Sequence, residues 1–507
     1  MEVPDAQGTR PHIGPISYLM THTSASITRS MDGMFMEFGP FSVNASKVLE
    51  INQNSWGRNA HLLFVDQPAG TGFSTADQYD LTQDSATKRF MVFLENFYSI
   101  FPEFKRSELY IGGESYAGIY VPYLANEILK RREAATLIPP ELDLKGIIVG
   151  NGWIDPLPQY LSYYDFATKN GILGGEYAKY ARADIENCKR AFSKGGPKIH
   201  YDTCDMIMER VLLQSRAGNR PCINMYDIRS KDSKPNGDCG LSEWPKSLPY
   251  VTEYLGRADV LTAIHTTKKT KWTECDDKVG SSLRSDPSLP SSVLLPYLTS
   301  KIQVLLFSGD QDLICNHMGT ELFLSNLTWN GATGMSNATT YSYLIDDVNI
   351  GSWQSSRNMS YVLIYGASHM PAVDVPVAVW DMLNRFIGVV DTSRGTSLLL
   401  DPSGSPSPIP SSAPQKGPQV YYGWVGIVIA ILIMSLFASV LILVYIRARR
   451  RRGAKDTRRG EDWHELRGAE DDEEEEMFDA DRYLDDDNSA GRKGNGGGVA
   501  RFEIDSD

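Results

Sequence analysis

Short apolar runs recur between residues 61 and 365, and each is followed by a turn containing Gly, Asp, Asn or Pro. The runs are His61–Asp66, Leu109–Gly112, Gly146–Val149, Ile302–Phe307 and Tyr361–Tyr365. Between several of them apolar residues recur at helical spacing, which predicts helices over Asp84–Phe101 and Tyr120–Arg132. Continuous apolar strands that alternate with helices are typical of a sheet covered on both faces. The pattern therefore predicts an α/β fold.

The strand pattern fades between residues 155 and 290 into polar, helical and cysteine-bearing sequence. This predicts an insertion subdomain over 155–290, which divides the core into residues 31–154 and 291–390. Four cysteines cluster inside the insertion: Cys188, Cys204, Cys222 and Cys239. Such clustering favours disulfides, although spacing alone leaves their connectivity open.

Three segments of distinct composition follow the core. Residues 391–420 are rich in Pro and Ser and predict an extended stalk. Residues 421–446 contain a long uncharged stretch with aromatic residues at both ends, and 447–507 begin with an arginine cluster and continue into acidic blocks. We therefore predict one transmembrane helix, a disordered acidic cytosolic tail, and a lumenal location for residues 1–420. Asn-x-Ser/Thr triplets then mark candidate glycosylation sites at Asn44, Asn326, Asn337 and Asn358.

The chain of 507 residues carries a formal net charge of −13. Binding to nucleic acid as the main partner is excluded, because phosphate binding requires a basic face. We expect neither a cofactor nor a metal ion.

A nucleophile motif follows the second apolar run. The sequence Gly113-Glu114-Ser115-Tyr116-Ala117 lies between a predicted strand and a predicted helix, where a tight turn would raise Ser115 Oγ above the sheet edge. Ala117 takes the place of the usual second glycine. The backbone N–H groups at the start of the helix could stabilise a developing oxyanion.

Candidate partners for Ser115 follow two later strands. Asp310 and Asp312 follow Ile302–Phe307, and His369 follows Tyr361–Tyr365. Open α/β sheets place their sites at the carboxyl ends of strands, and α/β hydrolases have the chain order Ser, acid, His. Ser115 would attack a carbonyl, His369 would transfer the proton, and a carboxylate would orient the imidazole. The sequence therefore predicts an α/β-hydrolase fold.

Over residues 31–388 the chain resembles the serine carboxypeptidases. The resemblance is carried by MDGMFMEFGPF (31–41), NQNSWGRNAHLLFVDQPAGTGFS (52–74), GGESYAGIYVPYLA (112–125), GNGWIDP (150–156), SGDQDLICN (308–316) and GASHMPAVD (366–374). It implies that Ser115 is the nucleophile, Asp312 the triad acid and His369 the base. Asp310 would then be structural.

The resemblance also implies that Glu37 and Glu114 bind the C-terminal carboxylate of the substrate. Two close carboxyls cannot both ionise cheaply, so one keeps a proton and donates it to the substrate anion. Loss of that proton at higher pH would weaken binding. We therefore expect an acidic to near-neutral optimum.

The stalk, single span and acidic tail make the chain similar to the fungal pheromone-processing carboxypeptidases of the Kex type. That similarity implies a single-pass type I protein of the Golgi and trans-Golgi network that removes C-terminal Lys or Arg from precursors. Its partners would be peptides or propeptides with basic C-termini and, through the cytosolic tail, sorting machinery.

The chain departs from the family before residue 31. Family members have a WLNGGPGCSS-like segment there, whereas residues 21–30 lack its Asn, its Gly pair and its Cys. Tyr116 N–H is then the oxyanion donor that carries over, and Cys275 lacks its usual partner. We expect residues 1–30 to be a truncated or mis-spliced N-terminus, with the early strands of the fold absent. By this resemblance the remaining cysteines suggest the pairs Cys188–Cys204 and Cys222–Cys239, with Cys315 free beside the site.

The missing segment supports a second hypothesis of a different class. The chain would then be a catalytically impaired, carboxypeptidase-like membrane protein that acts as an adaptor or sorting protein. Release of Lys or Arg that depends on Ser115 discriminates the two hypotheses.

Overall fold

The computed structural model describes residues 16–20, 30–216, 221–231, 239–240, 244–266, 272–273, 277–335 and 338–389. Its strands are β1 Ile16–Met20, β2 Phe41–Val43, β3 Leu49–Ile51, β4 His61–Phe64, β5 Glu108–Glu114, β6 Asp143–Gly150, β7 Gln303–Gly309, β8 Thr328–Trp329, β9 Ala332–Thr333, β10 Tyr341–Ile345, β11 Val348–Ser356 and β12 Met359–Ile364. Its α-helices are α1 Ser30–Asp32, α2 Gln83–Ile100, α3 Ala117–Glu133, α4 Pro156–Lys169, α5 Gly175–Gly195, α6 Asp202–Ser215, α7 Leu248–Leu255, α8 Ala258–Ala263, α9 Asp277–Leu283, α10 Leu295–Thr299, α11 His317–Asn326, α12 Pro371–Asp374 and α13 Pro376–Phe386. A short π-helix spans Gly33–Glu37, and 3-10 turns span Trp56–Arg58, Pro102–Phe104 and Ser291–Leu294.

Eight strands form one sheet in the order β10-β11-β12-β7-β6-β5-β1-β4. Neighbouring strands are parallel from β4 to β12, whereas β10, β11 and β12 pair antiparallel at one end. The parallel run brings the carboxyl ends of β5, β6, β7 and β12 to one edge of the sheet. That edge is where open α/β sheets hold their functional sites.

The five apolar runs of the sequence are strands β4, β5, β6, β7 and β12 of this sheet, and the two predicted helices are α2 and α3. The predicted α/β-hydrolase fold is confirmed. The antiparallel strands β10 and β11 were not predicted, because Asn, Gly, Ser and Gln interrupt the apolar pattern of Val348–Ser356.

We expected the early strands of the fold to be absent, but this prediction is wrong for β1, which precedes residue 31. Strand β1 lies between β4 and β5 and pairs with both, so that Tyr18 is opposite Leu62 on one side and Tyr110 on the other. The run Ile16–Met20 is short, with four apolar or aromatic residues among its five, and two of them, Ile16 and Tyr18, are of types enriched in strands. This segment fills the position between β4 and β5.

Two apolar cores cover the two faces of the sheet. Helices α2 and α3 pack on one face against residues such as Ile147 of β6, and α13 packs on the other face against Ile148. Consecutive residues of the strand thus enter opposite cores, as the pleat requires. The continuous apolar runs reflect burial of the sheet on both sides.

The predicted insertion is largely helical and contains α4 to α9. A disulfide between Cys188 and Cys204 joins α5 to α6, and a second disulfide joins Cys222 to Cys239. These are the pairs that the sequence analysis suggested. Cys315 is a buried free thiol, and Cys275 lies outside the described residues.

Within the residues listed above, no helix has the length and apolar character needed to cross a membrane. The predicted stalk (391–420), transmembrane helix (421–446) and tail (447–507) lie outside the described residues.

Candidate active site

Ser115 occupies a sharp turn between β5 and α3. Its φ of +61° lies in the left-handed region that is rare for a side-chain-bearing residue. Ser115 N–H donates to Gly150 O (3.0 Å), and Ser115 O accepts from Trp153 N–H (2.8 Å). These bonds tie the turn to the end of β6.

The close approach of α3 to the chain after β6 depends on Gly118. A Cβ at this position would lie 2.6 Å from the backbone nitrogen of Trp153, which real Cβ atoms do not tolerate. Gly118 N–H also donates to Ser115 O at 2.9 Å. Small residues on this side of the turn therefore permit the conformation of Ser115.

Asp312 and His369 lie after the neighbouring strands β7 and β12. His369 Nδ1 is 2.7 Å from Asp312 Oδ2, and both side chains are fully buried, as is Ser115. An imidazole that donates from Nδ1 has its lone pair at Nε2, and no described protein atom hydrogen-bonds that nitrogen. The arrangement can therefore accept a proton at Nε2.

The carboxylate of Asp312 accepts four hydrogen bonds. Oδ1 accepts from the N–H groups of Ile314 (3.0 Å) and Cys315 (3.3 Å), while Oδ2 accepts from His369 and from Asn151 Nδ2 (2.7 Å). These bonds replace the water that a buried carboxylate loses. They keep the carboxylate in a fixed orientation toward the imidazole.

Asn151 is a site residue that the sequence analysis did not single out. It is fully buried with φ of +40°, and its Oδ1 accepts from Gly309 N–H (3.2 Å) while its Nδ2 donates to Asp312. Asn151 thus joins the end of β6 to the end of β7. Its position directly after a predicted buried strand, within GNGWIDP, was the available signal.

Cys315 connects the nucleophile turn with the other two side chains. Its Sγ lies within 4.8 Å of a ring nitrogen of His369 and of an Asp312 carboxylate oxygen. Burial raises the pKa of the Cys315 thiol, as do the charges of Asp312 and Glu114, while the nearby Ser115 hydroxyl acts in the opposite direction. The structure therefore brings Ser115, Asp312 and His369 into one buried site, in which Cys315 is a neutral thiol.

Tyr116 follows Ser115 and precedes the first residue of α3. Its N–H belongs to the N-terminus of α3, where the helix dipole favours a nearby negative charge. The Tyr116 hydroxyl lies 3.3 Å from Gln83 Nε2, and burial raises the pKa of this phenol. Residues 21–29, which precede the family-like stretch, lie outside the described residues.

Glu37 and Glu114 are both buried, with exposed fractions of 3% and 2%. Glu114 ends β5 directly before the nucleophile turn, and Glu37 ends the π-helix. Asn52 Nδ2 donates to Glu37 O (2.8 Å), which fixes the end of that helix. The π-helix packs against α12, so Glu37 is carried by an element that contacts the chain just after His369.

Asp310 has the structural position that the resemblance implied. Its Oδ1 accepts from Gly366 N–H (2.7 Å), and its own N–H donates to Ile364 O (3.1 Å). Asp310 thus joins the ends of β7 and β12, and among the described residues its carboxylate makes no hydrogen bond to the imidazole.

In the part of the chain that the structure describes, two side-chain groups have the spacing of metal ligands. One is Asp312, Cys315 and His369. In this group His369 Nδ1 is already bonded to Asp312, and the thiol is neutral. The other is His200, Asp202 and Asp205, whose carboxylates are paired with the Arg284 guanidinium (2.6 and 3.3 Å). Neither group offers a donor set that favours a cation.

The candidate glycosylation sites differ in exposure. Asn326 and Asn358 are exposed, and Asn44 is half-buried with its Nδ2 donating to Glu50 (2.8 Å). Asn337 lies outside the described residues.

Comparison with known proteins agrees with the fold. Residues 28–389 match the model of the family described as serine carboxypeptidase. The chain is 43% identical over 377 residues to pheromone-processing carboxypeptidase kex1 of Pyrenophora tritici-repentis, with 71% of this chain and 58% of that protein covered. It is 42% identical over 371 residues to the protein of the same name from Fusarium vanettenii, with 71% and 60% covered.

A solved structure is also similar. The crystal structure of Kex1(delta)p, a prohormone-processing carboxypeptidase from Saccharomyces cerevisiae, superposes with a TM-score of 0.68 at 34% identity and covers 74% of this chain and 84% of that one. The fold and site define an α/β hydrolase with a Ser–His–Asp arrangement. Within that class, the chain belongs to the serine carboxypeptidase family. It spans about 60% of the length of the curated relatives that it matches.

Proposed function

We propose that this chain is a serine-type carboxypeptidase that removes C-terminal Lys or Arg from peptides and protein precursors. The observation that carries the proposal is the 2.7 Å bond between His369 Nδ1 and Asp312 beside the strained turn of Ser115. An adaptor would have no need of this buried polar arrangement, which is costly unless each group is satisfied. Membership in the serine carboxypeptidase family supports the proposal that the C-terminal peptide bond is the substrate.

In the proposed mechanism, Ser115 Oγ attacks the carbonyl carbon of the last peptide bond while His369 Nε2 takes the hydroxyl proton. Tyr116 N–H donates to the oxyanion of the tetrahedral intermediate. His369 then protonates the leaving amine, and the C-terminal amino acid departs. Water, deprotonated by His369, hydrolyses the acyl-enzyme, and the proton returns to Ser115. Asp312 holds the imidazole and stabilises its positive charge throughout.

Glu37 and Glu114 are proposed to bind the substrate's terminal carboxylate. Their burial supports this role, because carboxyl groups shielded from water can make specific hydrogen bonds to a substrate that enters the site. This feature would distinguish an exopeptidase from an endopeptidase.

The proposal also includes a preference for basic C-terminal residues and a cellular location. They are supported by the names of the relatives, which describe pheromone or prohormone processing. Both disulfides are compatible with an oxidising compartment. The predicted span and tail support anchoring in the Golgi or trans-Golgi network membrane, with sorting machinery as a cytosolic partner.

The test compares peptides that differ in their last residue. Peptides ending in Lys or Arg should lose that residue in acidic buffer, a peptide ending in Leu should react more slowly, and an amidated peptide should resist cleavage. Ser115→Ala should abolish release, whereas Ser193→Ala, at an exposed hydroxyl of α5, should leave it unchanged. Equal release by the parent and Ser115→Ala would reject the mechanism, and no release by the parent would favour the adaptor hypothesis.

A further inference from the structure

The insertion reaches back to both catalytic loops through residues 221–231, here called the bridging segment. Met225 O accepts from the N–H groups of Leu313 and Ile314, both at 3.1 Å, directly beside Asp312. Tyr226 O accepts from His369 N–H at 2.9 Å. The bridging segment is thus hydrogen-bonded to the main chain at His369 and directly beside Asp312. The disulfide from Cys222 anchors its beginning.

Aromatic rings of the insertion also cover the imidazole. The Tyr226 ring lies with its centroid 5.1 Å from that of His369, and it stacks on Trp244 at 5.1 Å with an interplanar angle of 14°. The Trp244 ring is itself 6.2 Å from His369. These contacts limit the space around the ring, but they do not fix the main chain that carries it.

Arg229 makes the charged connection between the bridging segment and the loop of His369. Its Nε and Nη2 donate to the two oxygens of Asp227 (2.8 and 3.0 Å). Its Nη1 donates to Gly366 O (2.6 Å), and Nη2 also donates to Asp374 Oδ1 (3.1 Å). Gly366 and Asp374 lie on either side of His369, so one guanidinium holds both ends of this loop.

The contact with Asp374 continues to the residue before the imidazole. Asp374 Oδ2 accepts from Ser368 N–H at 2.6 Å and from the Ser368 hydroxyl. The Arg229 charge offsets the Asp374 carboxylate, which in turn holds the backbone at Ser368. A path of charge-assisted bonds therefore runs from the insertion to the residue that precedes His369.

We propose that Arg229 is a positioning residue, which acts through Gly366, Asp374 and Ser368 to set the orientation of the His369 imidazole. This inference rests on the proposed carboxypeptidase function. Arg229 does not touch the reacting atoms. Its side chain is 42% exposed, so its ion pairs contribute little to global stability. A misplaced general base, in contrast, is costly for the chemical step.

The decisive variant is Arg229→Gln in the full chain. We expect kcat for release of Lys or Arg to fall about 10- to 100-fold with KM changed less than about twofold. Arg229→Lys retains the charge but lacks the planar fork, so it should recover part of kcat. Asp374→Asn should lower kcat as well, and its effect should not add to that of Arg229→Gln, because both interrupt the same path.

A matched control exists in the same insertion. Arg257 pairs with Asp259, two residues away, through Nε (3.1 Å) and Nη2 (2.6 Å), and it is similarly exposed at 46%. Arg257→Gln should therefore change neither kcat nor KM. Thermal unfolding of all variants checks that the parent fold is retained. If Arg229→Gln does not fold, Arg229→Lys tests the inference instead. Its kcat should lie below that of the parent with KM nearly unchanged, and a parent-like kcat would overturn the inference.

A fluorophosphonate probe separates failure of this inference from failure of the proposed function. The probe phosphonylates the serine oxygen: the O–P bond forms as the P–F bond breaks, and the hydroxyl proton passes to the imidazole. Its rate therefore depends on the imidazole but not on recognition of a C-terminus. If the parent is labelled at Ser115 but releases no Lys or Arg, the proposed function fails, while the labelling rates still test Arg229. Parent-like kcat and labelling in a folded Arg229→Gln variant would overturn the inference.

Discussion

Replacing Asn151 by glycine tests whether the carboxamide that joins β6 to β7 supports the orientation of Asp312. Glycine adopts the positive φ of this position without strain, so the change removes the side-chain bonds alone. One lost bond is a 2.7 Å hydrogen bond to a buried carboxylate, worth about 1.5–3 kcal/mol. The other leaves the buried Gly309 N–H without its 3.2 Å acceptor, at about 1–3 kcal/mol.

We therefore expect Asn151→Gly to lower the free energy of unfolding by about 3 kcal/mol, since neighbouring groups compensate part of the loss. Asp312 would keep its other three hydrogen bonds but lose the bond from Asn151 to Oδ2, the oxygen that also accepts from the imidazole. The resulting freedom should reduce kcat about 10- to 100-fold with little change in KM. Urea unfolding and steady-state release of Lys or Arg measure the two effects.

Asn330→Gly is the matched control for this experiment. Asn330 has a similar φ of +44°, and its Nδ2 donates to Thr299 O (3.0 Å) and Arg357 O (3.1 Å). These acceptors are neutral and the residue is exposed, so the stability loss should be about 1 kcal/mol and kcat should not change. Equal losses of kcat in the two variants, or an unchanged kcat in Asn151→Gly, would refute the assigned role of Asn151.

Three further predictions follow from other contacts. Asp312→Asn should lower kcat about 10⁴-fold with little change in KM, because the imidazole is then held in the wrong tautomer; steady-state kinetics measures this. Replacing Cys222 and Cys239 by serine opens a loop and should cost about 3 kcal/mol in urea unfolding and also reduce kcat, because this disulfide anchors the segment that holds the imidazole. Burial opposes the charge of His200, but the hydrogen bonds to Asp205 and Asp202 and the charge of Asp205 together outweigh it, so the pKa of His200 is raised above 6.5. The protonated His200 therefore stabilises the fold, and this stabilisation is fully present below pH 6.5 and is lost as the pH rises through the raised pKa. The free energy of unfolding, measured between about pH 5 and about pH 8, should show this pH dependence in the parent and not in His200→Gln.

The residues predicted from sequence are those whose role depends on a local pattern. Ser115 lies in a short motif between a strand and a helix, while Asp312 and His369 follow apolar strands, so neighbouring positions in the sheet could be inferred from order alone. Strands β5, β6, β7 and β12 could also be predicted because most of their residues are buried on both faces of the sheet. Strand β11 was missed because five of its nine residues are polar.

The residues that were missed act through contacts between distant parts of the chain. Asn151 and Asp312 are 161 positions apart, and Arg229 and Gly366 are 137 apart. No local periodicity indicates such a pair, and the insertion has no strand pattern from which its position over His369 could be deduced. Only the folded chain shows that the cysteine-rich insertion hydrogen-bonds the loop that carries His369.

The most direct test of the central claim is proteolysis in water enriched in ¹⁸O, followed by mass spectrometry. The substrate is a peptide that ends in Arg. Because water resolves the acyl-enzyme at Ser115, the account predicts a product shortened by one residue, with one ¹⁸O in its new C-terminal carboxylate and none in the released Arg. Ser115→Ala should give no such product. An internal cleavage, an unshortened peptide, or shortening that persists without the Ser115 hydroxyl would contradict the account.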